Sequence, residues 1–543
     1  MNHSRRRIYL VLILAALALA AGRIATAINQ RADAAFLSAN DRSRWCMIAA
    51  LVETCSYSID DYATDPTWQT IDKVRHRGRD GVMHYYSSKP PLYPTMIAGV
   101  TWMVVTATGM TLSDFPIYLV RIITVIVNLP QMFVMLLASL GAIENFFAAR
   151  PNRGNFDDAG PQAKQDREQA KNWAGILLAI VLCFGTMLLP MAVTLNNHLP
   201  AAAATAIALW CLTRDEQKIG LGTMLLAGLS AGFAAANELP ALSMLCLWGG
   251  VALLVDVRKT LLGFLPGVLI VAAAFFGTNY AAHDSWRPPY AHRGLGPALG
   301  DISIAEGAQS EMPPADEVRS LLQSTLTSSF DNEIDIVPSG IGGRWIVQAR
   351  QTGELFAIET MVADKSNALE SSVWRVHQWD DWYEYPGSYW RSGKLSGVDA
   401  GEESRRTYIF HSLIGHHGIF SLTPIFVLSL VGALVMLSLG RNDHRVVITC
   451  VLVASIVCFC FYMNRDKIDR NYGGVSCCFR WMLWFTPMWV WAAAPAALSA
   501  ARNPLLRFCV SGLAALGIFS VATCLDSPWQ HPWIYRYLEY LNY

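Results

Sequence analysis

The chain has 543 residues, of which 53% are hydrophobic and only 15% are charged, and its mean hydropathy is +0.30. This composition makes a soluble protein of that length very improbable and predicts a polytopic membrane protein. Lysine plus arginine and aspartate plus glutamate number 42 each. The chain therefore has no net charge that would support nucleic-acid binding.

The N-terminal segment joins a basic cluster, Ser4-Arg5-Arg6-Arg7, to an apolar run over residues 8 to 22. Arg23 interrupts that run, and no clear small-x-small cleavage site followed by a soluble domain comes after it. We therefore expect an uncleaved first span rather than a signal peptide. The basic cluster predicts a cytoplasmic N-terminus.

Nine further apolar windows predict membrane-spanning helices. They lie near residues 173 to 190, 199 to 213, 220 to 236, 240 to 256, 261 to 281, 417 to 439, 446 to 463, 480 to 499 and 508 to 525. The Lys- and Arg-rich connections fall on the side of the N-terminus, as expected for cytoplasmic loops. The opposite side then receives the loop of residues 30 to 90, residues 282 to 415 and the C-terminus.

Residues 91 to 145 must cross an odd number of times for this orientation to hold. They contain two apolar blocks, separated near residues 109 to 116, and the second block contains Pro130. Either one block does not cross, or the second block splits and the segment crosses three times. The sequence therefore predicts an all-α bundle of eleven to thirteen transmembrane helices.

The segment from 282 to 415 is too polar to span a membrane and too long for a plain connector, which predicts a small mixed extracytoplasmic domain. It divides the chain into an N-terminal transmembrane module (1–281, with the loop 30–90), the extracytoplasmic domain or long loop (282–415), and C-terminal helices with an outer tail (416–543). Its cluster Trp379-Asp-Asp-Trp-Tyr383 suits sugar binding. Aromatic side chains settling at a membrane interface explain it equally well.

The twelve cysteines show no zinc-like CxxC spacing, and most lie inside apolar runs. Only Cys46 and Cys55 share a polar loop. They could pair in an oxidising compartment or remain two free thiols.

The stretch Tyr86-Ser-Ser-Lys89-Pro90-Pro91-Leu92-Tyr93-Pro94 places one cation where a polar loop enters the membrane. An ammonium group suits phosphate oxygens, and the two prolines restrict the backbone so that Lys89 is aimed. A phosphate at the membrane surface is the expected partner. A lysine that snorkels to the interface ahead of a proline-started helix is the structural alternative.

The first outer loop also predicts a short amphipathic helix on the membrane surface, because apolar residues recur there at helical spacing: Trp45, Ile48, Ala49 and Val52. Asp41 and Arg44 lie three residues apart on its first turn. Asp41 could simply cap this helix. Kept ionised by the neighbouring cation, it could instead act as a general base toward a hydroxyl.

Asp41-x-x-Arg44-Trp45, followed some forty residues later by Tyr86-x-x-Lys89-Pro-Pro-Leu, resembles the first outer loop of the GT-C lipid-phosphate glycosyltransferases. The bacterial aminoarabinose transferase and protein mannosyltransferase relatives are the most similar members. The segment from Asn471 to Arg480, NYGGVSCCFR, followed by Pro487, is similar to the N-x-GG...R...P segment of many bacterial members. The resemblance covers the N-terminal 100 residues in sequence and the rest by topology.

The resemblance implies a glycosyltransferase of a bacterial inner membrane and the cell envelope, with its active site on the extracytoplasmic face. It would move a sugar from a polyprenyl-phosphate carrier in the lipid to a lipid, glycan or protein acceptor. Asp41 would be the catalytic base, Lys89 and Tyr86 would bind the donor phosphate with Arg480 as a further candidate, and Arg44 would support them. Direct displacement by the acceptor would invert the anomeric centre.

Two positions depart from the family pattern. Relatives commonly have an acidic residue after the catalytic aspartate, where this chain has Arg42, and another just before the lysine, where it has Ser88. The second acidic residue can be a metal ligand. No cofactor is therefore implied with certainty, and a divalent metal is doubtful.

Further polar side chains are candidates for lining the same cavity: Asp60, Asp61, His198, Glu238, His416 and His417. Adjacent acids such as Asp60 and Asp61 are more typical of a solvated turn. His198 and Glu238 head two helices at the outer face. The two histidines stand at the start of a span, where adjacent residues on a helix point apart and chelate a metal poorly.

A transporter or flippase for a lipid-linked or small polar substrate is the alternative function. Its cations would bind a substrate without breaking a bond. A transporter is expected to place ionisable residues in the middle of its spans and to show paired repeats. Here most polar candidates cluster at one face, which favours an enzyme.

Overall fold

A computed structural model describes residues 3–149, 160–303, 312–326, 333–339, 343–350, 352–361, 373–390 and 395–541. These residues are mostly helical, but they also form a two-stranded hairpin and a five-stranded sheet. The all-α prediction is therefore right for the bundle and needs correction in the first loop, where no strand was predicted.

The helices in chain order are α1 (His3–Thr26), α2 (Ala39–Glu53), α3 (Asp60–Ala63), α4 (Leu92–Thr108), α5 (Pro116–Ala148), α6 (Pro161–Phe184), α7 (Leu188–Met191), α8 (His198–Leu212), α9 (Leu221–Asn237), α10 (Ala241–Val255), α11 (Val257–Lys259), α12 (Leu265–His283), α13 (Ala315–Thr325), α14 (Arg405–Leu413), α15 (Ile419–Leu422), α16 (Val427–Leu439), α17 (Asn442–Met463), α18 (Thr486–Ala492), α19 (Ala494–Ala500), α20 (Pro504–Ala522) and α21 (Trp533–Tyr540). The strands are β1 (Lys73–Arg77), β2 (Met83–Ser87), β3 (Leu295–Ser303), β4 (Ile334–Pro338), β5 (Arg344–Ala349), β6 (Leu355–Met361) and β7 (Val373–Trp379).

Five helices in the described ranges are long and apolar enough to cross a membrane: Ser4–Thr26, Pro116–Ala148, Val257–His283, Asn442–Met463 and Pro504–Ala522. Five shorter apolar helices accompany them: Leu92–Thr108, His198–Leu212, Leu221–Asn237, Ala241–Val255 and Pro424–Leu439. Many of their large apolar side chains are exposed, among them Leu14, Leu269 and Phe508. Such a surface suits lipid rather than water, so the helices indicate an integral membrane protein.

Helix α5 traverses the helical body from one end to the other. Near its start, the Arg121 guanidinium donates to Ala27 O at 2.9 and 2.6 Å, just after the end of α1. Near its finish, Glu144 accepts hydrogen bonds from Arg5 at the start of α1. We call the end that holds Arg5 the basal end and the end that holds the first loop the distal end. The helix runs without a break through Pro130.

Helix α4 starts and finishes at the distal end. It begins three residues after Lys89, and the turn that follows it returns to the first loop, where Ser113 N donates to Glu53 at 3.1 Å. Residues 91 to 145 therefore traverse the body once, because the first block does not cross and the second does not split. Of the two alternatives, the eleven-helix bundle remains, and that total stays a prediction.

The first loop encloses α2 instead of leaving it on a surface. Hairpin β1–β2 is antiparallel, with Val74 opposite Tyr86, and α2 packs against both β2 and α4. Nine residues of α2, from Asp41 to Ala50, are buried, on all sides of the helix. The helix was predicted correctly, whereas its placement on the membrane surface was wrong. Cys46 is buried, Cys55 is exposed, and both are free thiols.

The segment after α12 contains an antiparallel sheet with strand order β3-β7-β6-β5-β4. Helix α13 covers it around a core that includes Val347, Ile358 and Val376. The segment that follows β7 forms hydrogen bonds to the edge of the first loop. Arg75 N donates to Trp382 O at 2.8 Å, and Trp390 Nε1 donates to Ile71 O at 2.9 Å. The backbone on both sides of Asp72 is thereby fixed.

A buried ion pair between Arg5 and Glu144 joins α1 to α5 at the basal end, and its removal tests this packing. Arg5 is 3% exposed and makes two hydrogen bonds of 2.8 and 2.7 Å to the Glu144 carboxylate. Tyr9 OH donates to the same carboxylate at 2.9 Å, and Arg5 also donates to Asn172 Oδ1 at 2.8 Å.

We expect Arg5→Ala to lower the free energy of unfolding by about 3 kcal/mol, because it leaves the Glu144 carboxylate buried without its cation. Arg6→Ala is the matched control, since Arg6 is exposed on the same turn, and it should change stability by less than about 0.5 kcal/mol. Unfolding in detergent measures both. Equal stability of the two variants would contradict the assigned contact.

Candidate functional site

Three cations from separate parts of the chain meet at the distal end. Arg44 comes from α2, Lys89 from the turn before α4, and Arg480 from the 3₁₀ turn Arg480–Phe485 that leads into α18. Each cation lies within electrostatic range of the other two. Burial and the positive charge of Arg480 lower the pKa of Arg44 to about 10, while the Asp72 carboxylate opposes this shift. The structure thus brings together the three cations expected from the sequence, which we call the distal cation cluster.

Arg44 is buried and has only neutral hydrogen-bond partners. One guanidinium nitrogen donates to Asn40 O at 2.9 Å and to Asn40 Oδ1 at 2.5 Å. The other donates to Asn197 Oδ1 at 2.8 Å. Within the described residues, no carboxylate lies within ion-pair distance of Arg44. Its charge is therefore held in place but not neutralised by a direct contact.

Lys89 is the one member of the cluster with a direct carboxylate partner among the residues described. Its Nζ lies 2.8 Å from Asp72 Oδ2, and both side chains are mostly buried. Burial lowers the pKa of Lys89, and Arg44 and Arg480 lower it too, while the Asp72 carboxylate opposes this shift. The pair is held on both sides, since Ser88 N donates to Asp72 O at 3.2 Å and Lys89 N donates to Ser87 Oγ at 3.2 Å.

Arg480 is oriented by packing. Its guanidinium lies over the Trp529 ring, 4.9 Å from the centroid, and in the described parts of the chain it has no hydrogen-bond or ion-pair partner. Gly473 makes room for it. A Cβ at Gly473 would collide with Arg480 Nε, and the φ of +96° at Gly473 disfavours any other residue. The Gly-Gly pair noted in the sequence therefore serves to position Arg480.

Asn197, His198 and Glu238 connect two helix starts to the cluster. His198 Nδ1 lies 2.5 Å from Glu238 Oε1, and Asn197 Nδ2 donates to the same oxygen at 2.7 Å. Because Asn197 also accepts from Arg44, the network is continuous from the cation to the carboxylate. Glu238 is within electrostatic range of Arg480. The placement of His198 and Glu238 beside the expected site is thus observed, whereas Asn197 was not singled out.

Asp41 lies next to the cluster, but its carboxylate is fully engaged. It is 1% exposed, and it belongs to a capping box whose N-cap residue is Ser38. Its oxygens accept hydrogen bonds from five donors: the backbone N–H groups of Leu37, Ser38 and Arg42 and the hydroxyls of Ser38 and Thr194. This geometry supports the capping role and leaves no oxygen free for a substrate hydroxyl.

The side chain of Tyr86 does not lie beside that of Lys89. Side chains alternate along β2, so Ser87 turns toward α2, where its Oγ lies 2.7 Å from Ser43 Oγ, and Tyr86 turns the other way. Its ring stacks on His76 with centroids 4.2 Å apart. The predicted contact of Tyr86 with a phosphate on Lys89 is therefore not supported. Tyr86 packs on the face of the hairpin that points away from α2.

The other candidates take structural positions. Asp60 accepts from Ser58 Oγ at 2.9 Å and from Tyr85 N at 2.6 Å, and it lies 2.5 Å from His84 Nδ1, which ties α3 to the hairpin. Asp61 is exposed on the same short helix. Neither carboxylate joins the distal cation cluster, in keeping with the solvated turn that adjacent acids suggest.

His416 and His417 lie in the turn between α14 and α15, not on a helix as expected. Their Nδ1 atoms therefore face each other in contact instead of pointing apart. His417 stacks on Tyr472, and its carbonyl accepts from Phe479 N at 3.0 Å. The pair thus supports the segment that carries Arg480. Within the residues described here, no group of three His, Cys, Asp or Glu side chains is arranged to hold a metal ion.

Two carboxylates of the site were missed in the sequence. Asp72 pairs with Lys89, and Asp399, in the 3₁₀ turn Gly397–Ala400, lies within electrostatic range of Asp72 and Arg480. Burial raises the pKa of Asp399, and the Asp72 charge raises it further. An available signal was the Asp80-Gly81 turn, which predicts a hairpin. The pairing register of the two strands of this hairpin places Asp72 beside Ser88.

A ring stack joins the first loop to the segment after β7. His76 lies between Tyr86 and Trp382, with centroids 4.2 and 4.0 Å away, and His292 stacks on Trp382 at 3.5 Å. His76 Nε2 also lies 3.0 Å from His283 Nδ1. Burial, together with the charges of His292 and His84, lowers the pKa of His76 to about 4, and the hydrogen bond to the Arg77 backbone opposes this shift. His76 is therefore neutral in the folded protein at neutral pH.

We expect the folded state to lose stability as the pH falls from about 6.5 toward 4, because the unfolded chain binds the His76 proton first. By pH 5 the loss from His76 alone should approach about 2 kcal/mol. His76→Phe keeps a ring in the stack but cannot titrate, so its melting temperature should depend less on pH between 7 and 5. Between pH 7 and 8 wild type and variant should run in parallel. Identical profiles below pH 7 would contradict the prediction.

A comparison with models of protein families finds no match for this chain, and neither does a comparison with curated proteins. Among solved structures, the chain is similar to the apo crystal structure of an oligosaccharyltransferase from Archaeoglobus fulgidus, with 11% identity and a TM-score of 0.40. The alignment covers 96% of this chain and 56% of that one. This chain spans little more than half the length of the archaeal protein.

Proposed function

We propose that the protein is a membrane glycosyltransferase that moves a sugar from a polyprenyl phosphate or diphosphate carrier to an acceptor outside the cytoplasm. The observation that carries the proposal is the distal cation cluster, in which Arg44 is buried, Lys89 and Arg480 are half-buried, and one direct ion pair is found among the described residues. The motif resemblance of the first loop points to the same chemistry.

The direct contacts of the cluster favour an anionic ligand. Burying a cation without a paired carboxylate is costly, and neither guanidinium has such a contact among the described residues. A phosphate group offers several acceptor oxygens to guanidinium and ammonium donors. A phosphate bound between these side chains would give the two guanidinium groups the direct anionic contact that they lack among the described residues.

The helix that follows Lys89 offers a path for the carrier. Helix α4 begins at Leu92, and both of its ends lie at the distal end of the body. Met96, Trp102 and Met103 on this helix are more than half exposed. A prenyl chain lying against these side chains would bring its phosphate directly to Lys89.

The proposed reaction needs stabilisation of the leaving group and a proton acceptor. As the bond from the anomeric carbon to the phosphate oxygen breaks, the departing phosphate gains negative charge, which the three cations stabilise. The acceptor hydroxyl forms the new bond and gives its proton to a carboxylate. We propose Asp399 for this role, because its pKa is raised and its oxygens are less engaged than those of Asp41. One direct displacement inverts the anomeric centre.

Lys89→Ala and Arg480→Ala should each lower transfer from labelled polyprenyl-phosphate sugars by roughly a hundredfold, because each removes a donor to the leaving phosphate. Lys73→Ala is the matched control. Lys73 lies on the same hairpin and donates to Ala63 O at 3.1 Å, away from the cluster. A panel of donors assayed in membranes measures all three variants.

Full activity of the Lys89 and Arg480 variants would overturn the phosphate assignment. Release of the sugar from its carrier separates the enzyme from a transporter. If the wild type moves the intact carrier across the bilayer and never breaks the sugar–phosphate bond, the transporter alternative is correct instead.

Asp399→Asn should lower kcat by roughly a hundredfold and leave donor affinity within about threefold, because the amide cannot accept the proton. Asp41→Asn should instead lower the melting temperature, because it disturbs the cap of α2, at a cost of about 1 kcal/mol or more. Steady-state kinetics and thermal unfolding of both variants distinguish these roles. Loss of kcat in the Asp41 variant alone, at unchanged stability, would return the base role to Asp41.

A further inference from the structure

A charged cavity lies at the basal end, far from the distal cation cluster. Its volume is about 220 Å³. Four cations line it: Arg167 and Lys171 from the first half of α6, Arg441 just before α17, and Arg502 just after α19. Val435 and Leu498 form part of its apolar wall.

The cavity carries more positive charge than its neighbours neutralise. Lys171 Nζ lies 2.9 Å from Glu168 Oε1, and Arg441 Nη2 lies 3.1 Å from Asp443 Oδ2. Arg167 and Arg502 line the same cavity without an ion pair in the part of the chain that the structure describes, and both are exposed. An anion that enters the cavity therefore meets two free guanidinium groups.

The apolar wall continues out of the cavity along α16. Leu439, which lines the cavity at the end of this helix, is 78% exposed. The four cations line this one cavity at the basal end. Charge at the mouth with exposed apolar side chains beside it matches a phospholipid, whose phosphate lies at the interface and whose chains run into the bilayer.

We propose that this basal cavity binds the phosphate headgroup of an anionic phospholipid. The phosphate lies between Arg167, Lys171, Arg441 and Arg502, and the acyl chains run along α16. A free phosphate ion would satisfy the cations equally well but would make no use of the apolar wall. The lipid is therefore the source of phosphate that the whole surface fits.

The test uses the full-length protein in detergent and measures binding of phosphatidylglycerol, of phosphatidylcholine and of inorganic phosphate by native mass spectrometry and thermal shift. Wild type should prefer phosphatidylglycerol over both others. Arg167→Ala/Arg502→Ala should weaken phosphatidylglycerol binding roughly tenfold or more. Arg7→Ala/Arg258→Ala, which removes the same charge from exposed positions outside the cavity lining, should not.

A second variant separates the site from general charge. Leu498→Trp fills the cavity, leaves every charge in place and should also weaken phosphatidylglycerol binding. Melting temperatures in phosphatidylcholine confirm that each variant is folded. The proposal fails if phosphatidylglycerol binds the cavity variants as tightly as wild type, if it binds no better than phosphatidylcholine, or if inorganic phosphate at the same concentration displaces it.

Discussion

The close approach of three positive charges, those of Arg44, Lys89 and Arg480, is the constraint on which the distal end of the protein depends. Each cation is fixed by a separate device: a capped and enclosed helix for Arg44, a double proline and Asp72 for Lys89, and the Gly473 cradle with Trp529 for Arg480. Such devices hold the charges in position before any ligand arrives. Preorganised donors of this kind are what stabilises a departing anion without further rearrangement.

The first loop and the segment after β7 form one support for this cluster. The backbone around Asp72 is held by Trp382 and Trp390, and the stack through His76 seals the other side of the hairpin. The same segment contributes Asp399. In the proposed function, this part of the chain therefore orients the donor-phosphate site and supplies the proton acceptor.

The sequence identified Lys89 from its place before two prolines and Arg44 from its place one turn into a predicted helix, whereas Arg480 was identified from the family resemblance of the segment Asn471 to Arg480. It did not identify Asp72, since that carboxylate reaches Lys89 only through the register of a hairpin that was not predicted. Asp41 was given a catalytic role because a capping carboxylate and a free one look alike in sequence. Tyr86 was misplaced because strand alternation, unlike loop proximity, turns it away from Lys89.

The central claim is that the distal cation cluster binds the phosphate of a lipid carrier. The most direct measurement compares the affinity of the purified protein for a polyprenyl phosphate with its affinity for the corresponding polyprenol, which has the same chain and no phosphate. The account predicts that the phosphate binds at least roughly a hundredfold more tightly and that salt weakens this preference. Equal affinity for the two lipids would contradict it.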